Sequence, residues 1–187
     1  MSVVSTAAEA ELITAAEARE WCRADSSHDT FFTSIIPACR RAIESYTGRA
    51  LVSKTLVDRR DGFPCSRLIK IEQPPLLTVS HIKYDDENGA EQTLSTSLYT
   101  VDIYSSPGRI ALNPYESWPF TIERINSVRI TYTAGYVANT LPGDLKTAIM
   151  FFIAHIFSNR EPYMAGLSIV ETPETLKPMF FPYKVNW

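Results

Sequence analysis

The sequence predicts an α+β protein: a small helical bundle of about three main helices, a β-rich insertion between the second and third helices, and an extended C-terminal arm. Apolar residues recur at spacings of three and four before residue 50 and after residue 141, as on one face of a helix. Between residues 51 and 136, short β-branched and aromatic runs alternate with turn residues, as in strands. After residue 161, four prolines interrupt the chain and disfavour regular structure.

The first two helices are indicated by their caps as well as by their apolar faces. Thr14 and Glu17 have the spacing of a capping box, which predicts a helix over residues 15–23. In the second helix, Pro37 predicts a kink or a fresh start, and Gly48 predicts a left-handed end. Its apolar face comprises Phe32, Ile35, Ile36, Cys39, Ala42, Ile43 and Tyr46.

The insertion contains five clear runs of strand-forming residues. Asn88-Gly89 predicts a tight hairpin turn in which both residues take positive φ. The acidic residues 85–87 beside it lack the ligand spacing of a calcium loop and favour a solvated hairpin tip. The predicted strands cover residues 55–57, 68–71, 79–84, 99–104 and 128–132.

The third helix is predicted to start at Pro142, with Asp144 near the positive end of the helix dipole. Its segment 145–157 is apolar nearly all round, so the other helices and the sheet, or a neighbouring subunit, must cover it. We expect one domain over residues 1–187. Its parts are a helical part (14–50), the β-rich insertion (51–136), the core helix (141–160) and the C-terminal arm (161–187).

Composition excludes several classes of function. Lys and Arg total 18 against 21 Asp and Glu, a net charge of −3 without the positive field typical of nucleic-acid binding. The first ten residues do not resemble a secretory signal. The longest apolar stretch, 148–157, is far shorter than the roughly 18 residues of a membrane span, so no membrane is expected. Cys22, Cys39 and Cys65 are expected to be buried or half-buried thiols in a reducing cytoplasm.

The sequence offers no catalytic, cofactor-binding or metal-binding motif, so we expect no enzyme and no cofactor. His28, His81 and His155 lie in different predicted elements, without the spacing of metal ligands, and His155 is expected to be packed. No nucleophile elbow or phosphate-binding loop is present. Basic residues that could face phosphate are expected instead to pair with Glu44, Asp58 and Asp61; they are Arg40, Arg41, Arg49, Arg59, Arg60, Arg67 and Lys70.

Several phrases in one order resemble the head-tail connector family of tailed phages and gene transfer agents. The resemblance runs from about Thr14 to the C-terminus, and it rests on the order and spacing of the phrases together. They are Ala42-Ile43-Glu44-Ser45-Tyr46-Thr47-Gly48-Arg49, Phe63-Pro64, Pro74-Pro75-Leu76 followed by Val79 and Tyr84, Trp118-Pro119, Tyr132-Thr133-Ala134-Gly135-Tyr136, Pro142 with Leu145-Lys146-Thr147-Ala148-Ile149, Arg160-Glu161 and the closing segment Leu176–Lys184.

The resemblance implies a structural virion protein, a head-tail adaptor. Copies would form a homo-oligomeric ring, expected to be a dodecamer. The ring would lie beneath the portal protein and above a downstream neck or tail protein. DNA would pass through its channel without sequence-specific binding. The expected location is the virion neck, after assembly in the host cytoplasm. The resemblance also implies that the C-terminal extension binds the portal through Leu176, Met179, Phe180, Phe181, Tyr183 and Trp187.

Three alternatives remain open at this point. A stopper or tail-terminator subunit would also form rings, but such proteins are mostly β. A DNA-packaging accessory protein would need the arginines between residues 40 and 70 to form one exposed patch. A soluble enzyme would need a pocket of convergent polar groups, which the sequence does not indicate.

Overall fold

The structure is a computed structural model that describes residues 2–4, 11–137, 140–159, 174 and 176–185. The chain divides into two compact units, each described by itself. A β unit is formed by Met1–Glu9 and Val52–Tyr136, and a helical unit by Ala10–Leu51 and Val137–Trp187. Helices and antiparallel sheets are both present. All strands after residue 50 lie between the second and third α-helices in the sequence, so the predicted α+β class is confirmed.

The helices of the helical unit are α1 (Ala15–Cys22), α2 (Asp29–Thr47), α3 (Gly143–Ser158) and α4 (Lys177–Phe180). Helices α1, α2 and α3 contact one another, and α4 contacts α3. In the long helices α2 and α3, buried residues recur mostly at spacings of three and four, as on the packed face of a helix.

The predicted capping box of α1 and the predicted left-handed end of α2 are confirmed. The Glu17 N–H donates to Thr14 Oγ1 at 3.1 Å, and the Thr14 N–H donates to Glu17 Oε2 at 2.8 Å. Glu17 also accepts from Lys146 Nζ at 2.6 Å, which links α1 to α3. Gly48 ends α2 with φ 71°, and its N–H donates to the Glu44 carbonyl at 2.9 Å.

The sequence predicted that the second helix would either kink at Pro37 or start afresh there, and no new helix starts at Pro37. Helix α2 runs from Asp29 to Thr47 with Pro37 inside it. A proline within a helix costs about 3 kcal/mol. Burial of large apolar side chains contributes about 1.5–3 kcal/mol each, so the buried face, which includes Phe32, Ile36 and Ile43, outweighs that cost.

The β unit contains two antiparallel sheets. Their strands are β1 (Ser2–Val4), β2 (Lys54–Arg60), β3 (Leu68–Lys70), β4 (Leu76–Asp85), β5 (Glu91–Thr93), β6 (Tyr99–Asp102), β7 (Arg109–Leu112) and β8 (Val128–Ala134). The five-stranded sheet has the order β1-β2-β8-β4-β5, and the three-stranded sheet has the order β3-β7-β6.

Strand β8 is the centre of the larger sheet, since it pairs with β2 on one side and β4 on the other. Its side chains alternate between fully buried and half-buried positions, as expected where one face of a strand packs in a core. Val128, Ile130, Tyr132 and Ala134 form the buried row. The Tyr132 hydroxyl donates to the Glu72 carbonyl at 3.0 Å, which satisfies its polar end.

The hairpin between β4 and β5 differs from the predicted tight turn. Its loop spans residues 86–90, and of the Asn88-Gly89 pair only Gly89 has positive φ, at 78°. The Asp86 carboxylate accepts from the Asn88 and Ala90 N–H groups at 2.9 and 3.0 Å, which stabilises the longer loop. The prediction of a solvated hairpin tip is also wrong at Asp85, because this side chain is buried and forms a salt bridge with the Arg129 guanidinium at 2.6 Å.

Strands β1, β5 and β7 were not among the predicted strands. Each is only three or four residues long, too short for a clear alternating pattern. Strand β6 ends at Asp102 rather than at Tyr104, because the Asp102 carboxylate accepts from the Tyr104 and Ser105 N–H groups and bends the chain.

Two single-residue expectations are also corrected. Cys65 is exposed rather than buried, whereas burial raises the pKa of the Cys39 thiol to about 12 and keeps it protonated. His155 is exposed on α3 rather than packed, with Asn159 Nδ2 3.4 Å from its Nδ1.

Among the glycines of the β unit, Gly135 leaves the least room for a side chain. It has φ 115°, and an added Cβ would lie 2.3 Å from the Val52 carbonyl oxygen. We expect Gly135→Ala to lower the free energy of unfolding by on the order of 2 kcal/mol or more. Urea unfolding followed by circular dichroism measures this.

Gly62→Ala is the matched control in the same unit. An added Cβ there meets only Thr121 Oγ1 at 3.6 Å, an ordinary contact. It should leave stability within about 0.5 kcal/mol of wild type. Equal stability of the two variants would contradict the packing described for Gly135.

Candidate docking surface at the C-terminal end

Of the predicted C-terminal arm (161–187), residues 161–173, 175 and 186–187 lie outside the described residues, and residues 176–185 are folded rather than extended. Residues 176–185, here called the C-terminal hook, contain α4 followed by a short 3₁₀ turn, Phe181–Tyr183. Phe180 is fully buried and Val185 is buried. The prolines permit this structure because Pro178 and Pro182 stand in the first turns of their helices, where no backbone donor is needed.

Two hydrogen bonds, one from a side chain and one from the backbone, hold the hook against the end of α2. Arg49 Nε donates to the Tyr183 carbonyl at 2.5 Å, and the Val185 N–H donates to the Thr47 carbonyl at 2.8 Å. The Thr47 carbonyl belongs to the last turn of α2, where carbonyls lack helical partners. The hook therefore closes the helix end that Gly48 terminates.

Two side chains of the hook add polar contacts to this attachment. The Tyr183 hydroxyl donates to the Asp144 carboxylate at the start of α3, at 2.6 Å. This hydrogen bond holds the pKa of Asp144 below its usual value. Lys184 Nζ lies 5.4 Å from the centre of the Tyr46 ring, a cation–π distance. The hook is thus attached to both α2 and α3.

The residues predicted to bind the portal divide into three groups. Phe180 is buried within its own chain, and Tyr183 is half-buried and takes part in the attachment. Phe181 is 68% exposed and Met179 37% exposed, with Leu176 half-buried at the start of α4. Trp187 lies outside the described residues. The exposed apolar side chains of the hook are therefore Met179 and Phe181, and Leu176 at its start is partly exposed.

A shallow groove on α3 continues from Leu176. Its cavity is about 320 Å³ and open to solvent. Nearby, the partly exposed Trp21 and Phe151 rings meet edge to face at 5.5 Å between centroids. The apolar character of α3 gave a signal for this surface, but nothing in the sequence marked Trp21. The groove is lined by Phe151, Ala154, His155, Ser158, Asn159 and Leu176.

Several of the arginines that could have faced phosphate are bound within the chain. Arg40 pairs with Glu11 at 3.0 Å and Glu44 at 3.1 Å, and Arg60 pairs with Asp58 at 2.8 Å. The pairing predicted for Glu44 and Asp58 is therefore present. Asp61 instead accepts from a backbone N–H, that of Asn126, at 3.0 Å.

Within the described ranges, no three His, Cys, Asp or Glu side chains are grouped so that they could hold a metal ion. Of the helices in that same part of the chain, none combines the length and the apolar character that crossing a membrane requires.

The described residues therefore offer exposed apolar side chains at the hook, and several of their ion pairs stabilise the fold. The family model for head completion proteins matches residues 11–165. The chain belongs to the head completion protein family, which confirms the expectation of a structural virion protein and not an enzyme.

Solved structures share this fold over the whole chain. A chain in the neck of an empty gene transfer agent particle, computed with C6 symmetry, is 22% identical with TM-score 0.80. One in the virion of a native gene transfer agent particle is 20% identical with TM-score 0.76, and one in a native neck with C12 symmetry 21% identical with TM-score 0.74. Each match covers 100% of this chain and 96% of the other. No curated protein matches the chain.

The bond between Tyr183 and Asp144 gives stability a defined dependence on pH. Because the folded pKa of Asp144 is lowered, the contribution is present above the unfolded pKa, about 4, and is lost as the pH falls through the folded pKa. We expect Tyr183→Phe to be less stable than wild type at neutral pH, with a difference that shrinks on acidification. Urea unfolding at several pH values measures it.

Tyr104→Phe provides the control, since Tyr104 is almost fully exposed. Its stability should follow that of wild type at every pH. A constant difference between Tyr183→Phe and wild type across the acid range would show that the hydroxyl does not act through Asp144.

Proposed function

We propose that this chain is a head-tail adaptor subunit that forms a ring beneath the portal and connects the capsid to the tail. Its location would be the virion neck, and its two units would act together as one adaptor domain. Family membership and the full-length likeness to chains in gene transfer agent necks support this proposal. The C6 and C12 symmetries of those necks support a closed ring.

The observation that carries the portal contact is the exposed apolar surface of the C-terminal hook. Phe181 and Met179 project from a turn that Arg49 and Tyr183 fix to the helices. A folded turn avoids the ordering cost of about 1–2 kcal/mol per residue that a disordered arm meets on binding. Exposed aromatic side chains on a rigid support are typical anchors of interfaces. Trp187 remains a proposed contributor.

The charge distribution supports a channel through which DNA passes without being held. The net charge is −3, and Arg40 and Arg60 are held in ion pairs. Arg41, Arg59 and Lys70 are exposed, so the preference for an adaptor over a DNA-packaging accessory protein rests on the net charge. The helical unit likewise favours an adaptor over a mostly β stopper or tail terminator. The downstream contact would be with a neck or tail protein.

Replacing Met179 and Phe181 together by Ser tests the portal contact. Both side chains are exposed, so the melting temperature should stay close to that of wild type. Binding to portal-bearing heads that lack this protein should fall by at least about tenfold, as expected for loss of an aromatic anchor. Co-sedimentation of purified protein with such heads measures it.

Ile103→Ser is the matched control, because Ile103 is a partly exposed apolar residue of the β unit. It should bind heads like wild type. Full binding by the double variant would move the portal contact away from the hook, and failure of the wild-type chain to bind heads would refute the adaptor proposal.

A further inference from the structure

The second half of the loop between β7 and β8, residues 122–127, is here called the return segment. Both of its ends are hydrogen-bonded to the backbone of Asp85, the last residue of β4. The Ile122 N–H donates to the Asp85 carbonyl at 3.2 Å, and the Asp85 N–H donates to the Ser127 carbonyl at 2.9 Å. One residue of the larger sheet therefore binds the segment at its beginning and at its end.

The Asp85 carboxylate lies between two guanidinium groups. Arg129 on β8 donates to its two oxygens at 2.6 and 3.2 Å, and Arg124 of the return segment donates to Asp85 Oδ2. The Asp85 side chain is 4% exposed, whereas that of Arg124 is 56% exposed. These hydrogen bonds, that from Arg129 above all, hold the pKa of Asp85 below its usual value. The carboxylate is therefore ionised at neutral pH and joins the segment to the sheet through its charge.

Little apolar burial holds the return segment in place. Residues 123–126 are exposed, and the Ile125 side chain is 75% exposed. Asp61 adds two polar contacts at the end next to β8. Its Oδ1 accepts from the Asn126 N–H at 3.0 Å, and its carbonyl accepts from the Ser127 hydroxyl at 2.5 Å. The position of the segment therefore depends on hydrogen bonds, of which those to charged groups are the stronger kind.

The structure around the return segment does not share this dependence. Strands β4 and β8 are paired along their lengths, and the Ile82 and Ile130 side chains between them and the core are fully buried. The first half of the loop has its own support, because Trp118 Nε1 donates to the Ser66 carbonyl at 2.9 Å and the Trp118 ring stacks on Phe63. A part of a protein that buries little apolar surface can open without global unfolding.

We propose that Asp85 is a charge-dependent anchor: its ionised carboxylate holds the return segment closed on the β unit, and loss of that charge opens the segment while the five-stranded sheet stays paired. Without the negative charge, the guanidinium groups of Arg124 and Arg129 repel each other. Arg124 is the exposed one of the two, so it moves into water and the segment moves with it. The inference concerns the β unit alone and does not rest on the proposed function.

The same anchor gives the segment a defined response to pH. Because the folded pKa of Asp85 is lowered, the segment is held above the unfolded pKa, about 4, and is released as the pH falls through the folded pKa. The charged groups that face Asp85 or share its partners come from β4, β5, β8, the hairpin loop and the return segment. They are Lys83, Glu91, Arg129, Asp86 and Arg124.

Amide hydrogen exchange on the full chain at neutral pH tests the inference. The variant is Asp85→Asn, which keeps the size of the side chain and removes its charge. The readouts are the amides of Ile122 and Asn126, whose sequence neighbours are unchanged. Their exchange should rise by at least about tenfold more than that of the β8 amides. A rise no larger than that in β8 would overturn the proposal.

A second variant and a matched control keep the test independent of one substitution. Arg124→Ala removes the exposed partner while Asp85 stays bound to Arg129, and it should speed exchange at the same two amides. Wild-type protection in this variant would contradict the anchor. Glu91→Gln is the control, because Glu91 binds the same Arg129 at 3.0 Å and is 50% exposed. Protection of the return segment should equal that of wild type, and its loss there would also count against Asp85.

Acidification separates the loss of charge from the substitution itself. In wild type, exchange at the Ile122 amide, corrected for the intrinsic effect of pH, should rise as the pH falls below about 4. In Asp85→Asn no such step should occur, because the segment is already open at neutral pH. No step in wild type, or the same step in both proteins, would contradict the role of Asp85.

Discussion

The apolar surface of α3 is the constraint on which the helical unit depends. Seven of its residues are buried, among them Leu145, Phe152 and Ile156. Helices α1 and α2 contact it, and α4 contacts it as well, so the end of the chain belongs to the same structure. Burial of a side chain such as Phe180 contributes about 1.5–3 kcal/mol, comparable to a sizeable share of the stability of a small domain. This accounts for a folded C-terminus in a segment rich in proline.

The attachment of the hook also solves a problem at the end of α2. The last carbonyls of a helix lack partners, and the Val185 N–H supplies one to Thr47 while Arg49 reaches the Tyr183 carbonyl. The residues that terminate α2 therefore position the exposed Phe181. The same hydrogen bonds therefore close the end of α2 and hold the segment that carries the proposed docking surface.

Local signals predicted the local features well. The capping box at Thr14, the end of α2 at Gly48 and the helix after Pro142 depend on residues close in sequence, and all three are confirmed. Features that depend on distant residues were missed. Asp85 is buried because Arg129, on a neighbouring strand, binds it and lowers its pKa, which the acidic run alone cannot reveal. The sequence likewise identified the C-terminal aromatic residues but could not tell the buried Phe180 from the exposed Phe181, because only the packing on α3 distinguishes them.

A subunit of the proposed ring would have to make axial and lateral contacts at the same time, and this chain has exposed apolar side chains in each of its two units. The hook is held by Arg49 and Asp144 within the helical unit, and the loop between β7 and β8 is held by Trp118 and Asp61 within the β unit. The two sets of hydrogen bonds involve different residues. A change at the hook therefore leaves the support of this loop intact.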